Sequence, residues 1–487
     1  MRGWLSAVCA CLALGGCTFD RSGVSVEHDA APADQQVADA GAHDTGTNER
    51  TLDQAPTDQE ASDQEATDQK APDQKVSDQK LSPDHSAPDQ LVPCAGLSCP
   101  LGCNTAANRC NRLKPTGHSP SGYFDDVTAN LNSTTANITV DTDSGEVRAG
   151  TTVLRSGGQA GTVINGIYWG SAPTTVGYPL VSVFSVKSLD LPSGRTLTVT
   201  GSRAVVFYAT GNITIAGTMI AGASDRNPGP GGFAGGLQDG ADGASCFGGQ
   251  GEGGNQAGSG SNQLEAGGGG GGRKASGGDG GDASYGPTSA SGGAGGNAVG
   301  SSPWPLFGGC GGGAGGGPDT ASPQGHGGYG GGGGGAIQLA ANGTITISGI
   351  ITVRGAGGQG GRHGAGGGGG GAGGAVLLEA HSVGISGVVA ANGGGGGAGA
   401  ANLSSNGQDG QDGLSSAANA AGGSGVSTGG SGGKGGALSP EQGANAPTDA
   451  NAGGGGGAAG VTYINTNTLS QSGTVSPAAV KGTPSVW

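Results

Sequence analysis

Apolar residues alternate with polar or small residues in four similar segments of this chain. The best defined segment reads AIQLAANGTITISGIITVRGA, in which Ile337 and Leu339 precede Ile345 and Ile347. A spacing of two residues places these side chains on one face of a β-strand. Each segment is therefore predicted to form two or three short strands. The four segments are 204–223, 336–356, 375–393 and 460–475.

Glycine interrupts the alternation at matching points of the segments, where the chain can turn a corner. One segment cannot bury its apolar side alone, so the segments are expected to stack as coils of a parallel β-solenoid, a β-helix-like fold of the all-β class. An antiparallel sandwich of hairpins is the alternative, because short strands with glycine turns also fit it. The third segment fits after a one-residue deletion, and the fourth has Gln471 in place of Ile, which suits a terminal coil. The interrupting glycines are Gly211, Gly217, Gly343, Gly349, Gly387 and Gly473.

Long glycine-rich inserts follow each of the first three segments at the same point of the repeat. They span about 224–335, 355–374 and 393–459 within a body expected to cover 122–487. Inserts at one point of a solenoid emerge from one face, so these three are expected to lie side by side. Two states are open for them. They are disordered, since ordering glycine costs the most backbone entropy, or they form polyglycine-II strands, which pack closely when only hydrogen projects inward.

Glycine makes up 115 of the 487 residues and dominates 224–460. In this composition the body resembles the PE-PGRS type of bacterial surface protein, although the chain lacks the N-terminal helical region of that family. It resembles more closely the glycine-rich surface lipoproteins with acidic tethers of deltaproteobacteria. The resemblance implies display at the cell surface and no particular reaction.

The N-terminus resembles a bacterial lipoprotein signal. Arg2 precedes a short apolar run, and Leu14-Gly15-Gly16-Cys17 matches the lipobox pattern Leu-x-Gly-Cys. The resemblance implies removal of 1–16 as a signal peptide and acylation of Cys17. Thr18 then favours the outer membrane over inner-membrane retention. Several acyl chains would make the membrane a stable partner of the protein.

Residues 17–93 form an acidic, low-complexity segment in which Asp-Gln recurs every five residues from Asp53 to Asp78. The segment holds 17 acidic and 5 basic residues, a net charge of −12 out of −15 for the whole chain. A five-residue period fits neither helix nor strand, and few apolar residues are present to offset chain entropy. We expect a disordered tether that holds the body away from the membrane. The charge also argues against nucleic acid as a partner.

Four cysteines follow the tether: Cys94, Cys99, Cys103 and Cys110. Clustered cysteines pair in an exported chain, so 94–112 is expected to be a small element held by two disulfides, with three connectivities open. A zinc site is the rival, although the spacing is not that of a standard zinc finger. Cys246 and Cys310 are expected to tie together the two halves of the first insert.

The search for chemistry yields only weak candidates. Asp279 and Asp282, and likewise Asp409 and Asp412, lie among glycines in a spacing related to calcium-binding β-roll repeats. Both copies depart from that motif, however, and they are not in tandem. Matches to nucleotide-binding glycine loops arise from composition alone, and none opens a helix after a strand. We therefore assign no catalytic residue, no metal and no cofactor.

These features predict a lipid-anchored, non-enzymatic protein exposed at the bacterial cell surface, with a structural, adhesive or self-associating role. A surface polymer or a second copy of the chain would be its partner besides the membrane. Two alternatives stay open: a glycan-binding module that uses the scattered aromatic residues of the first insert, and a carbohydrate-active β-helix enzyme. The aromatic residues are Phe233, Phe247, Tyr285, Trp304, Phe307 and Tyr329.

Overall fold

The computed structural model describes Cys94 and residues 99–118, 126–172, 175–258, 263–317 and 325–487. The predicted signal peptide (1–16) and the whole acidic tether (17–93), with Cys17, lie outside the described residues. The described ranges contain strands, turns and extended segments but no helix, so the all-β class is confirmed. No helix able to cross a membrane therefore occurs in this part of the chain.

Most strands in the described ranges are short. In chain order the first fifteen are β1 (Cys103–Asn104), β2 (Arg109–Cys110), β3 (Leu113–Lys114), β4 (Asn130–Asn132), β5 (Ile138–Asp141), β6 (Val147–Ala149), β7 (Thr152–Arg155), β8 (Thr162–Ile164), β9 (Ile167–Ala172), β10 (Val181–Val186), β11 (Ser188–Leu191), β12 (Thr196–Thr200), β13 (Ala204–Ala209), β14 (Ile213–Ile215) and β15 (Thr218–Ile220). They are followed by β16 (Gln256–Ala257), β17 (Leu264–Glu265), β18 (Ala283–Tyr285), β19 (Thr288–Ala290), β20 (Ala336–Ile347), β21 (Ile350–Thr352), β22 (Ala375–Ile385), β23 (Val388–Ala390), β24 (Val461–Gln471), β25 (Thr474–Ser476), β26 (Val480–Gly482) and β27 (Ser485–Val486).

The four repeat segments pair with one another in parallel and in register. In the first sheet, the aligned residues of β13, β20, β22 and β24 are Phe207, Leu339, Leu378 and Ile464. In the second sheet, those of β15, β21, β23 and β25 are Met219, Ile351, Val389 and Val475. The register between β20 and β22 shifts after Ala341, where the third segment has its one-residue deletion. The repeat template read from the sequence therefore matches the strand pairing.

Antiparallel strands at the N-terminal end make both sheets mixed, which departs from a wholly parallel stack. β10 pairs in parallel with β13 on one side and antiparallel with β9 on the other. β5 likewise pairs in parallel with β12 and antiparallel with β6. Strands joined by short connections return antiparallel, because a parallel pair needs a longer crossover. The curled sheets form a half-barrel.

A core of aliphatic and aromatic side chains fills the space between the two sheets. Ile345, Ile347 and Ile351 are fully buried in it, and the rings of Phe184 and Phe207 stack with centroids 5.7 Å apart. The apolar alternation seen in the sequence is thus the inward face of the strands.

Glycines stack on one another where each repeat turns from the first sheet to the second. A Cβ atom added to Gly349 would lie 2.0 Å from the carbonyl oxygen of Gly217, and one added to Gly387 would lie 2.0 Å from that of Gly349. Backbone approaches this close leave no room for a side chain. The glycines are therefore required by packing between successive corners.

The described residues form three disulfides, as the cysteine clusters predicted, and these join Cys94 to Cys103, Cys99 to Cys110 and Cys246 to Cys310. The first two cross-link the small N-terminal element internally.

The C-terminus of the chain fastens this element in place. Strand β3 pairs antiparallel with β27, and the indole nitrogen of Trp487 donates to the carbonyl of Leu113 at 3.1 Å. Leu113 and Leu101 pack with Tyr208 and Ala340, so the element covers part of the outer face of the first sheet.

Candidate functional site

The glycine-rich inserts run as extended strands that are hydrogen-bonded at intervals of three residues. In the strand 267–272, Gly267 and Gly270 donate to one neighbouring strand, Gly268 and Gly271 to a second, and Gly269 and Gly272 to a third. Three residues per turn without internal hydrogen bonds is the geometry of an extended left-handed helix, which points its backbone groups outwards in three directions. Of the two states open for the inserts, the described ranges match the hydrogen-bonded, polyglycine-II-like one.

The strand 366–374, from the second insert, lies at the centre of this bundle. Its backbone hydrogen-bonds to six neighbouring strands, three through its N–H groups and three through its carbonyls. The six neighbours are 266–272, 308–316, 327–335, 353–361, 392–400 and 452–460. They come from all three inserts, so the inserts lie side by side as expected.

Glycine is needed in the bundle because neighbouring backbones touch. A Cβ atom on Gly369 would lie 2.0 Å from the carbonyl oxygen of Gly269, and one on Gly454 would lie 2.1 Å from that of Gly368. Real Cβ atoms do not come closer than 3.0 Å to such atoms. The glycine composition thus permits strands to pack at a separation that any other residue would prevent.

The calcium candidates are pairs of aspartates that cap the edges of the bundle. Asp279 accepts a hydrogen bond from the N–H of Gly295 at 2.9 Å, and Asp282 accepts one from Gly292 at 2.8 Å. With three residues per turn, two aspartates three positions apart point to the same side of their strand. Their carboxylates supply the acceptors that a further strand would otherwise provide.

The same capping occurs in the third insert. Asp409 accepts from the N–H of Gly360 at 2.8 Å, and Asp412 accepts from Gly357 at 3.1 Å. Asp412 also forms an ion pair with Arg354 at 3.2 Å. Throughout the described ranges, no three His, Cys, Asp or Glu side chains are grouped so that they could hold a metal ion.

The aromatic residues of the first insert are divided among separate environments. Phe233, Phe247 and Phe307 pack together, with Tyr178 stacked on Phe247 at a centroid distance of 4.3 Å. Phe247 is 43% exposed, whereas Phe307 is buried. Phe233 and Tyr178 are half-buried, so this cluster packs locally and stays partly open to solvent.

The other three aromatic residues stand apart from that cluster. Trp304 packs against Gly117 and lies edge-on to His118, with ring centroids 4.9 Å apart. Tyr285 is 72% exposed at a hairpin, and Tyr329 lines a cavity that is described below. The scattered aromatics therefore do not share one surface.

Arg273 is a fully buried cation that the sequence did not single out. Its guanidinium carbon lies 3.7 Å from the ring centre of Phe307, and its Nη1 donates to the carbonyl of Gly300 at 2.6 Å. Burial lowers the pKa of Arg273 to about 10, so the side chain stays charged at neutral pH. Arg273 thereby fixes the loop 300–307. Trp304, in this loop, packs against apolar side chains of the first sheet.

A buried polar network joins the N-terminal element to the first sheet. The carboxylate of Glu379 accepts hydrogen bonds from Thr116, from the Gln338 amide at 2.6 Å and from the Asn465 amide at 3.0 Å. His118 Nε2 lies 3.2 Å from the Gln338 amide oxygen, and burial lowers the pKa of His118 to about 4. The only signal of this network in the sequence is polar Gln338 and Glu379 within otherwise apolar strands.

A cavity of about 500 Å³ opens at the edge of the bundle, between the start of the first insert and the third. Charged and amide side chains, one aromatic residue and bare glycine backbone surround it. The lining residues are Asp225, Arg226, Asn227, Tyr329, Gly357, Gly358, Gln359, Asp409, Gly410 and Asp412. Sequence reasoning missed this cavity, because its walls come from segments that are far apart in the chain.

Comparison with known proteins gives no match to a protein-family model, to a curated protein or to a solved structure.

Proposed function

We propose that this chain is a lipid-anchored, non-enzymatic protein of the bacterial outer membrane, exposed at the cell surface, in which a short β-solenoid carries a polyglycine-II bundle. Acylated Cys17 would hold it to the membrane, and the acidic tether would extend the body outwards. The body would serve a structural, adhesive or self-associating role, as in the glycine-rich surface lipoproteins that the sequence resembles.

The observation that carries this proposal is the continuity between the sheet and the bundle. Ala375 at the start of β22 donates its N–H to Gly335, and Val461 at the start of β24 donates to Gly374, both at 2.9 Å. The strand ladder thus passes into the glycine strands without a break in hydrogen bonding. A body built in this way resists bending, which suits a stalk or platform.

The roles of the acidic residues also favour a non-enzymatic protein. Asp141 accepts hydrogen bonds from the backbone N–H groups of Asp143 and Ser144, as turn residues do. The carboxylate of Asp143 in turn accepts hydrogen bonds from the backbone N–H and from the hydroxyl of Ser202. Carboxylates occupied in this way, like the capping aspartates of the bundle, stabilise loops and edges.

Protease shaving of intact cells tests the location. We expect peptides from the exposed loops of the third insert, such as 402–406 and 438–442, to be released from whole cells. Protection until the outer membrane is opened would place the body in the periplasm and refute surface display.

A Cys17→Ala variant is the control for the anchor. It should lose incorporation of labelled fatty acid and leave the membrane fraction, while its folded body is retained. A variant that remains membrane-bound without acylation would refute the lipid anchor and leave the result of the shaving experiment unaffected.

A further inference from the structure

The cavity at the edge of the bundle has walls of mixed hydrogen-bonding character. Arg226 makes no hydrogen bond or ion pair with any described side chain, and its buried Nε has no partner. Because Arg226 lines the cavity and has no side-chain acceptor, the guanidinium donors that face the cavity are available to a ligand. Arg226 therefore points to a molecule that enters this cavity.

The charges around the cavity disfavour an anionic ligand. Asp225, Asp409 and Asp412 line the cavity with Arg226, and Arg354 pairs with Asp412, so three negative and two positive charges leave a slight negative balance that repels anions. A metal ion is also disfavoured, because Asp409 and Asp412 already accept backbone hydrogen bonds and Asp412 is paired with Arg354. A neutral molecule fits these charges best.

The donors and acceptors on the walls define the chemistry of that molecule. Carboxylates only accept hydrogen bonds, a guanidinium group only donates them, and the amides of Asn227 and Gln359 do both. Hydroxyl groups satisfy all three kinds of partner, since each one donates and accepts. Several hydroxyls on one ligand would therefore match this lining.

The shape of the cavity adds a second constraint. Gly357, Gly358 and Gly410 line it without side chains, so a flat ring can approach the backbone closely. Tyr329 supplies an apolar aromatic surface. The volume of about 500 Å³ lies within the range of roughly 300–1,000 Å³ that is typical of small-molecule sites.

We propose that this cavity binds a neutral saccharide through Arg226, Asn227, Gln359 and Asp225, with a sugar ring against Tyr329 and the glycine backbone. This site is distinct from the scattered aromatic residues of the first insert, of which only Tyr329 takes part. The proposal does not depend on the anchor or on surface display.

The test is binding of the full chain to an array of neutral, uronic-acid-containing and sulfated oligosaccharides, followed by isothermal titration calorimetry. A neutral oligosaccharide should bind, and Arg226→Ala and Gln359→Ala should each weaken binding at least tenfold. Tyr285→Ala is the matched control, because Tyr285 is an exposed aromatic residue outside the cavity. Its affinity should equal that of the unaltered chain.

Three results would overturn the proposal: no neutral saccharide binds, charged saccharides bind more tightly, or both cavity variants bind as tightly as the control. Thermal unfolding of each variant shows whether it is folded. If Arg226→Ala is unfolded, Gln359→Ala decides, since no side-chain hydrogen bond of Gln359 holds the described structure together. Addition of a calcium chelator should leave saccharide binding unchanged, and loss of binding would also refute the proposed mode.

Discussion

Replacement of Gly369 by alanine tests whether the glycine strands pack as closely as the structure places them. Gly369 donates its N–H to Gly313 and accepts from Gly331, both at 2.8 Å. The third side of the residue faces Gly269, whose carbonyl oxygen would lie 2.0 Å from the new Cβ atom. The methyl group therefore has no open direction.

The expected loss of stability follows from this geometry. Raising a 2.0 Å contact to the 3.0 Å minimum requires a shift of about 1 Å in strands that are held on every side. Overpacking of this kind costs about 1–3 kcal/mol, and weakening two hydrogen bonds adds about 1 kcal/mol each. Alanine also lowers the conformational entropy of the unfolded chain, and this offsets about 0.4–1 kcal/mol of the lost stability. We expect a net loss of about 2–5 kcal/mol.

Gly384→Ala is the matched control for this substitution. Gly384 lies in β22, and a Cβ atom added there would meet no atom within 4 Å. This variant should be neutral or more stable by about 0.4–1 kcal/mol, through the unfolded chain alone. Denaturant unfolding of the two variants and the unaltered protein, followed by circular dichroism, gives the comparison. Equal stability of Gly369→Ala and Gly384→Ala would refute close packing of the bundle.

Three further predictions address the disulfide, the buried histidine and the centre of the bundle. Replacing Cys246 and Cys310 by alanine should cost about 4 kcal/mol in denaturant unfolding, because their bond closes a loop of 64 residues; unchanged stability would contradict this. The pKa of His118 is about 4 in the folded state, below its usual 6.5, so the unfolded state binds the proton first and stability should fall by up to about 3 kcal/mol as pH drops from 6.5 to 4. A His118→Asn variant should show a flatter profile in that window, and an identical profile would exclude His118 as the cause. In hydrogen exchange followed by mass spectrometry, amides of 366–374 should exchange most slowly among the inserts, and fast exchange there would contradict their central position.

The sequence predicted the strand stack well because its signals are local and repeated. The alternation around Ile345 and Ile347, and the glycine corners at Gly349 and Gly387, each appear in several copies. Repetition fixes the register, since only one alignment places every apolar residue on the inner face. The departure lies at the N-terminal end, where β6 to β9 belong to no repeat and their antiparallel pairing had no copies to reveal it.

The contacts that build the candidate site could not be read in the same way. Glu379 binds Thr116 from 263 positions away, and Arg226 meets Asp409 at the cavity only after two inserts have folded. Such contacts depend on which strands become neighbours in the bundle, and glycine strands carry no side chains to specify a partner. The three-residue spacing of Asp279 and Asp282 can be read from the sequence. Their role as caps of the bundle edge becomes clear only once their strand is known to have three residues per turn.

The position of each insert in the stack explains how its composition differs from that of the others. The second insert, which links β21 to β22, is the shortest of the three, and its strand 366–374 lies in the middle of the bundle. A strand with six neighbours has no free side, and the insert accordingly contains no aspartate and has an unbroken run of glycine at 366–371. The first and third inserts are long enough to form outer strands. These carry the capping aspartates, the aromatic cluster of the first insert and most of the cavity wall. The central strand 366–374 accordingly carries no side chain larger than the methyl group of Ala372, so we expect recognition of a partner by this body at the edges of the bundle, where larger side chains lie.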